Sequence, residues 1–462
     1  MRIVKVNSSY SVLMDYKKEE MEAIIACLGY NKKIGARDHY GHYKQKTEIR
    51  HMIKSGRFLS GLTPRIIKYC ALKNIKCEFL ENVPLPVAKE ASLLGITLRE
   101  DQIDLLYKIG ANQRGVIKAP TGSGKTVLAG AICSAWANSN VLFLCHTLDL
   151  LEQTAEEFRA WGLSKVIVLG GGAKPILDKS LERKICIATM QTFVRLLRER
   201  YSGNFFDIII IDEAHHLSSE KGTYAKILNQ LDAPMKIGLT ATPPVVEENK
   251  LILEGYLGEQ IGEFTVEEGI KAGVLARPII DLLPVPYSDK IADLYSYKEI
   301  YSQGIINNRA RNLLILKEVV KAIEQDLSVL ILTGKEIEHG YVLQKIAREV
   351  FDLEIPFMHG SVKKEDRLRL KESLELKETK CLVANVVWFE GINIQSLNVI
   401  INAGGGKGVT GTMQKIGRGL RATEGKKTVR VIDFLDPYKA LAYHVVARLT
   451  VYAEEKWLRP IV

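Results

Sequence analysis

The sequence has no Cys-x-x-Cys pair, and its seven cysteines are scattered. That spacing supplies neither a zinc site nor a disulfide framework, and free thiols suit a reducing compartment. No apolar run approaches the ~20 residues of a membrane helix. The opening stretch, MRIVKVNSSYSVLMDYKKEE, lacks the continuous apolar segment of a secretory signal. There is no fixed-period repeat and no low-complexity tract. A soluble cytoplasmic protein with no membrane partner is therefore expected. What remains is an ordinary globular composition, 47% hydrophobic and 26% charged over 462 residues, enough for two to four domains with cores of their own. The net charge of +10 and pI of about 9.0 favour a polyanionic partner such as nucleic acid.

The chain is organised around Ala119-Pro120-Thr121-Gly122-Ser123-Gly124-Lys125-Thr126. An apolar run that reads as a strand precedes it, and Val127 to Ile132 reads as a helix start. Strand, glycine turn, Lys-Thr and helix form the phosphate-binding P-loop pattern. Gly122 and Gly124 let backbone N–H groups turn inward, and the helix N-terminus adds partial positive charge. Lys125 supplies a point charge to the outer phosphates of ATP, and the Thr126 hydroxyl suits Mg²⁺. Ala119 stands where the pattern usually begins with glycine. Upstream, the amide of Gln102 has the donors and acceptor to read an adenine edge.

Further apolar strands follow. Val141 to Cys145 runs into His146-Thr147, a triple glycine includes Gly171, and Ile185 to Ala188 leads to Thr189-Met190-Gln191. Small hydroxyls, glycines and helix starts at the ends of parallel strands can hold the backbone phosphates of a nucleic-acid strand. Taken singly each is ordinary turn chemistry; the ordered series points to a nucleic-acid track. Phe206 to Ile211 delivers Asp212-Glu213-Ala214-His215 to the carboxyl end of a sheet, where ligands bind in open α/β folds. Asp212 suits hydrated Mg²⁺, and Glu213 suits orienting or deprotonating a water. Met235 to Leu239 then delivers Thr240-Ala241-Thr242, hydroxyls placed to couple the carboxylates, with His215, to a second lobe.

A second strand–helix alternation starts near residue 328. Its strand ends carry His359-Gly360 and Asn385, then Gly391 and Asn393, and it closes on Gln414-Lys415-Ile416-Gly417-Arg418-Gly419-Leu420-Arg421. Arg418 and Arg421, three apart, share one face of a helix turn. Arginines in this position can stabilise the charge of a phosphoryl transfer, and Gln414 can reach the attacking water or the outer phosphate.

Residues 1–92 differ from the rest. They hold a charge of roughly +8, with grouped Lys/Arg and interleaved Tyr30, Tyr40 and Tyr43. A small α+β module is expected, with strands near Ile3–Val6 and Tyr10–Leu13 and helices over Lys17–Leu28 and Pro64–Lys73. Its basic face is either a duplex grip or simply solvated. His39, His42 and His51 lack the partners of a metal site.

Ala-Pro-Thr-Gly-Ser-Gly-Lys-Thr, Asp-Glu-Ala-His, Thr-Ala-Thr and Gln-x-x-Gly-Arg-x-x-Arg, in this order, resemble motifs I, II, III and VI of the DEAH-type superfamily 2 helicases. Gln102, His146–Gln153 and Thr189–Gln191 match the Q, Ia and Ib positions. Asn385, and Gly391-Ile392-Asn393 where the family often has Gly-x-Asp, depart from motif V. The basic N-terminal segment, Asn307…Arg311-Asn312, and Gly334 through His339-Gly340 are most similar to the phage UvsW-type branch-migration helicases; XPB and RecG are more distant. The resemblance implies an α/β fold of two RecA-like parallel-sheet lobes in tandem behind a small N-terminal α+β domain. The expected division is 1–92 as basic accessory domain, 93–250 as lobe 1, 251–312 as connection and start of lobe 2, and 313–462 as lobe 2 with a C-terminal helix. It implies ATP and Mg²⁺ as cofactors and a DNA partner (duplex, fork or four-way junction) bound largely without sequence preference, with recombination or replication proteins as further partners. The implied activity is ATP-dependent unwinding or branch migration. The alternatives are a double-stranded DNA translocase that releases no strand, and an RNA helicase.

Overall fold

The computed structural model describes residues 1–37, 43–80, 86–169, 184–200, 205–385, 397–405 and 427–454, with Ala422, Trp457 and Leu458. His39, His42, Gly171, Gly391, Asn393, Gln414, Arg418 and Arg421 lie outside the described residues. The chain divides into two units, Met1–Ala119 with Gly124–Phe264, and Thr265–Val462 with Pro120–Ser123.

In the first unit, seven strands form one sheet in the order Val166–Leu169, Ile185–Thr189, Val141–Cys145, Ile208–Ile211, Met235–Thr240, Arg114–Lys118 and Gln260–Glu263. Every neighbouring pair is parallel. The four central strands that carry the longest apolar runs are buried throughout, as a sheet covered on both faces requires. The parallel order brings all carboxyl ends to one edge. The expected boundary at residue 250 falls inside the helix Glu247–Leu257, and this sheet takes its last strand from beyond it, at Gln260–Glu263.

The N-terminal module is a small mixed sheet, in the order Ile53–Lys54, Arg57–Leu59, Tyr10–Met14, Arg2–Lys5 and Glu78–Leu80, with helices Lys18–Cys27 and Thr63–Leu72. Its helices bury Ile24, Ile66 and Cys70. Between them rises a hairpin, Gly29–Arg37 paired with Tyr43–His51, which joins no other strand among the described residues.

This module is fused to the seven-stranded lobe. Phe58, Leu59 and Leu62 lie in one continuous core with Leu251, Leu253 and Leu257. A side chain at Gly61 would come within 2.1 Å of the Glu254 carbonyl oxygen, so only glycine permits this approach. Arg65 grips Glu254 through two hydrogen bonds, of 2.8 and 2.6 Å. The fully buried Lys236 donates from Nζ to the Ser8 carbonyl at 3.2 Å and to Ser9 Oγ at 2.8 Å. Arg114 donates to the same Ser8 carbonyl.

The second unit is built on six parallel strands in the order Arg277–Pro284, Thr428–Leu435, Leu397–Asn402, Ser328–Thr333, Cys381–Asn385 and Phe357–Met358. The helix Arg309–Glu324 opens on Asn308, whose Oδ1 accepts from the Arg311 N–H at 3.1 Å. Arg311 is fully buried; it pairs with Asp436 at 2.8 Å and donates to the Ala403 carbonyl at 2.7 Å. Beside it, the buried His339 meets Asn312 Oδ1 at 3.0 Å. The C-terminal helix Lys439–Glu454 is pinned by Arg448 on Asp433 at 2.7 Å and by the Tyr452 hydroxyl on the same carboxylate at 2.8 Å. Both units are RecA-like α/β lobes in tandem, and the small mixed sheet precedes them, as the motif order implies.

Candidate active site

The P-loop follows the strand Arg114–Lys118 and opens the helix Lys125–Ala135. Its turn is closed by Ser123 Oγ on the Pro120 carbonyl at 2.7 Å. Gly124 has φ +92°, a conformation that favours glycine, and a Cβ there would lie 2.7 Å from Gln102 Nε2 and displace that amide. Gln102 is buried. Its Oε1 accepts from the Arg99 N–H at 3.2 Å and its Nε2 faces the Gly124 carbonyl at 3.5 Å. In this conformation its amide supports the loop from beneath. Lys125 Nζ donates to the Ala119 carbonyl at 3.2 Å and lies 3.8 Å from Glu213 Oε1. Lys125 and Glu213, 88 positions apart in the sequence, are thus neighbours.

Register explains that meeting. The strand Ile208–Ile211 lies between Val141–Cys145 and Met235–Thr240, so Asp212-Glu213 emerges beside both. The Asp212 N–H donates to the Leu144 carbonyl at 2.9 Å, and the Ala119 N–H to the Thr240 carbonyl at 2.9 Å. Glu213 takes a left-handed backbone, φ +48°, unusual for a side chain of this size and a mark of functional sites. After it, Ala214–His216 forms one 3₁₀ turn. His215 Nδ1 lies 3.0 Å from Thr240 Oγ1 and 3.3 Å from Glu213 Oε2. Thr240 Oγ1 also accepts from the Thr242 N–H at 3.2 Å. The candidate coupling residues His215, Thr240 and Thr242 are therefore linked in one set of contacts beside the carboxylate.

Motif reasoning does not single out His216. Its ring stacks on His146 with centroids 4.2 Å apart and planes 7° apart, and it lies 4.3 Å from His215. Burial, then the neighbouring His215 and His146, lower its pKa to about 4, so it is neutral at pH 7. The available signal was a second histidine directly after Asp-Glu-Ala-His.

The remaining candidates sit at strand ends. His146 and Thr147 follow Val141–Cys145, and Thr147 caps the next helix by accepting from the Leu150 N–H at 3.3 Å. Thr189 is buried, its hydroxyl engaged with Thr192 at 3.0 Å, while Gln191 is exposed. In the second unit, His359-Gly360 follows Phe357–Met358. His359 Nε2 lies 3.2 Å from the Tyr341 hydroxyl. Asn385, ending the neighbouring strand, is buried with Nδ2 facing the Lys335 carbonyl at 3.4 Å.

Two family models match the chain: "Type III restriction enzyme, res subunit" over residues 95–245 and "Helicase conserved C-terminal domain" over residues 311–423. With the paired RecA-like sheets and the P-loop carboxylate site, they make this chain a superfamily 2 helicase, an ATPase enzyme. It resembles the UvsW-type helicases. It is 24% identical to "ATP-dependent DNA helicase uvsW" of Enterobacteria phage T4, over 77% of this chain and 75% of that protein. It is 25% identical to "DNA 3'-5' translocase XPB2" of Sulfurisphaera tokodaii, over 77% of this chain and 85% of the other. In fold it is similar to S. cerevisiae Dbp5 bound to RNA and ADP BeF3, with a TM-score of 0.56 and 14% identity over 78% of this chain and 88% of that one.

Proposed function

We propose that the chain is an ATP-driven DNA motor that unwinds or branch-migrates forked and four-way junctions. The observation that carries the reading is a hydrolysis cluster of Lys125, Glu213, His215 and Thr240 in a lobe to which a basic hairpin module is fused. In this reading Lys125 and the P-loop N–H groups hold the outer phosphates of ATP, and Glu213 orients the attacking water and takes its proton. Thr126, in the first turn after the loop, and Asp212, directly after the strand Ile208–Ile211, offer the hard oxygen donors that suit Mg²⁺. Among the described residues no cluster of His, Cys, Asp and Glu forms a metal cage, and Mg²⁺ commonly binds through one or two protein groups plus phosphates. Bound there, Mg²⁺ would neutralise charge on the phosphates. On the sequence alone, Arg418 and Arg421 are the proposed source of further transition-state charge, and Gln414 of contact to the water.

Strand-end residues His146, Thr147, Gln191, His359 and Gly360 would touch the DNA backbone, which gives weak sequence preference and steep salt dependence. The names of the DNA helicase and translocase relatives support DNA as the polymer, and the hairpin's charge supports duplex contact at a branch. The test is ATPase stimulation and strand release compared across single strand, duplex, fork, four-way junction and RNA duplex. Release from forks and junctions is expected. Strong stimulation by plain duplex with no strand released from any substrate would replace the reading with a translocase, and preferential action on RNA duplex with an RNA helicase.

A further inference from the structure

We infer that His216 is a positioning residue that transmits occupancy of the nucleic-acid track to the hydrolytic carboxylate. The inference rests on the proposed role of His146 at that track. The two ends of the link belong to different parts of the reaction. His146 follows the strand Val141–Cys145 at the edge where a DNA backbone would lie, whereas Glu213 faces Lys125 across 3.8 Å. Between them stand two imidazoles in series, His216 stacked on His146 at 4.2 Å and 7°, then His215 at 4.3 Å and 33°. Flat rings at contact distance cannot approach further, so a displacement of His146 toward His216 must move His216 or be resisted by it.

The last member of the series is hydrogen-bonded to Thr240 and has a Glu213 oxygen within reach as a second acceptor. His215 Nδ1 lies 3.0 Å from Thr240 Oγ1 and 3.3 Å from Glu213 Oε2. A hydrogen on Nδ1 can be donated to either oxygen. Donated to Glu213, it restrains the carboxylate and withdraws electron density from it; donated to Thr240, it leaves that oxygen to accept a proton from water. A small rotation of the His215 ring decides between the two. An element with two such arrangements, biased from both sites, is what energetic coupling requires. The flanking strands are held together by their ladder and by the Asp212 N–H on the Leu144 carbonyl.

The experiment compares DNA-free and fork-stimulated ATP turnover, and fork affinity, in the full-length protein carrying His216→Ala, His216→Leu or His216→Phe. The Ala and Leu variants are expected to lose stimulation by roughly tenfold, in the usual range of coupling between sites, with DNA-free turnover and fork affinity within about twofold of the parent. Phe restores a flat ring without nitrogen and is expected to keep stimulation within about threefold. Leu fills ring volume without a flat face, so the test survives if Ala fails to fold. Unchanged stimulation in Ala or Leu overturns the inference. So does an equal loss with and without DNA, which would mean that His216 only shapes the catalytic turn, and so does a Phe variant as defective as Leu. His146→Ala separates the two readings. If it leaves fork affinity unchanged, the track assignment fails; if it weakens affinity while His216→Leu stimulates normally, the coupling alone fails.

Discussion

At the scale of single residues, the site depends on a carboxylate placed with unusual constraint. Glu213 sits on a left-handed backbone between Lys125 and His215. Glu213→Gln keeps size and hydrogen bonding but removes the base. Single-turnover ATP hydrolysis is expected to fall by about 10²–10⁴-fold while a gel-shift assay shows fork binding intact. His339 gives a pH prediction. Burial, and next the Arg311 charge, lower its pKa from 6.5 to about 3. Between those values the unfolded chain binds a proton that the folded chain refuses. Its contribution to stability is therefore complete above pH 6.5 and is lost as pH falls toward 3. Urea midpoints measured from about pH 7 down to about pH 4 should fall less steeply in His339→Gln than in the parent. Lys125, Asp212 and Glu213 were legible in the sequence because phosphate and water chemistry demands those residue types after those strands. His216 and Lys236 were not, because their roles arise from the spatial order of strands, which no local pattern encodes.

At the scale of elements, apolar runs announced the central parallel strands, since a strand covered on both faces must be apolar along its whole length. Gln260–Glu263 joins the sheet at its edge with a polar sequence and gave no such sign. The hairpin Gly29–His51 was equally silent, because its inner face (Tyr30, Lys32, Ile34) is only half-buried and includes a lysine, so it leaves no apolar alternation in the sequence. Ile49 is 79% exposed, and Lys33 and Lys46 are exposed on opposite faces. A two-stranded ribbon standing alone is marginal in water, and this one is tied to the lobe through Lys32 on Glu248 at 2.5 Å. Its sequence is rich in Lys and Arg, and the double substitution Lys33→Glu with Lys46→Glu tests it. Junction affinity should fall, and the slope of log affinity against log salt should flatten by roughly 0.9 for each phosphate no longer neutralised, with DNA-free ATPase unchanged. An unaltered slope would remove the hairpin from the DNA interface.

At the scale of the whole molecule, the sequence announced an N-terminal module but not its attachment. The composition change near residue 92 marks off a basic accessory domain, and the structure shows that segment joined to the lobe by a shared core, a glycine-only backbone approach at Gly61, and a buried lysine held by Ser8 and Ser9. Removing residues 1–92 exposes Leu251, Leu253 and Leu257 and takes away the Ser8 and Ser9 acceptors of Lys236. The truncated chain is expected to be recovered aggregated, or to be cut rapidly by protease within the first lobe; a stable, monomeric truncation with a cooperative melt would show that the fusion is dispensable. The same attachment sets an order of events during synthesis. Ser8 waits for Asp232, 224 positions later, and Arg65 for Glu254, 189 positions later. At about 5–20 residues per second, the docking face around Phe58 and Leu62 is made roughly 10–40 s before the helix that covers it. This module is thus made well before the helix it packs against, and a nascent chain stalled near residue 200 should be a substrate for chaperones that bind exposed apolar surface.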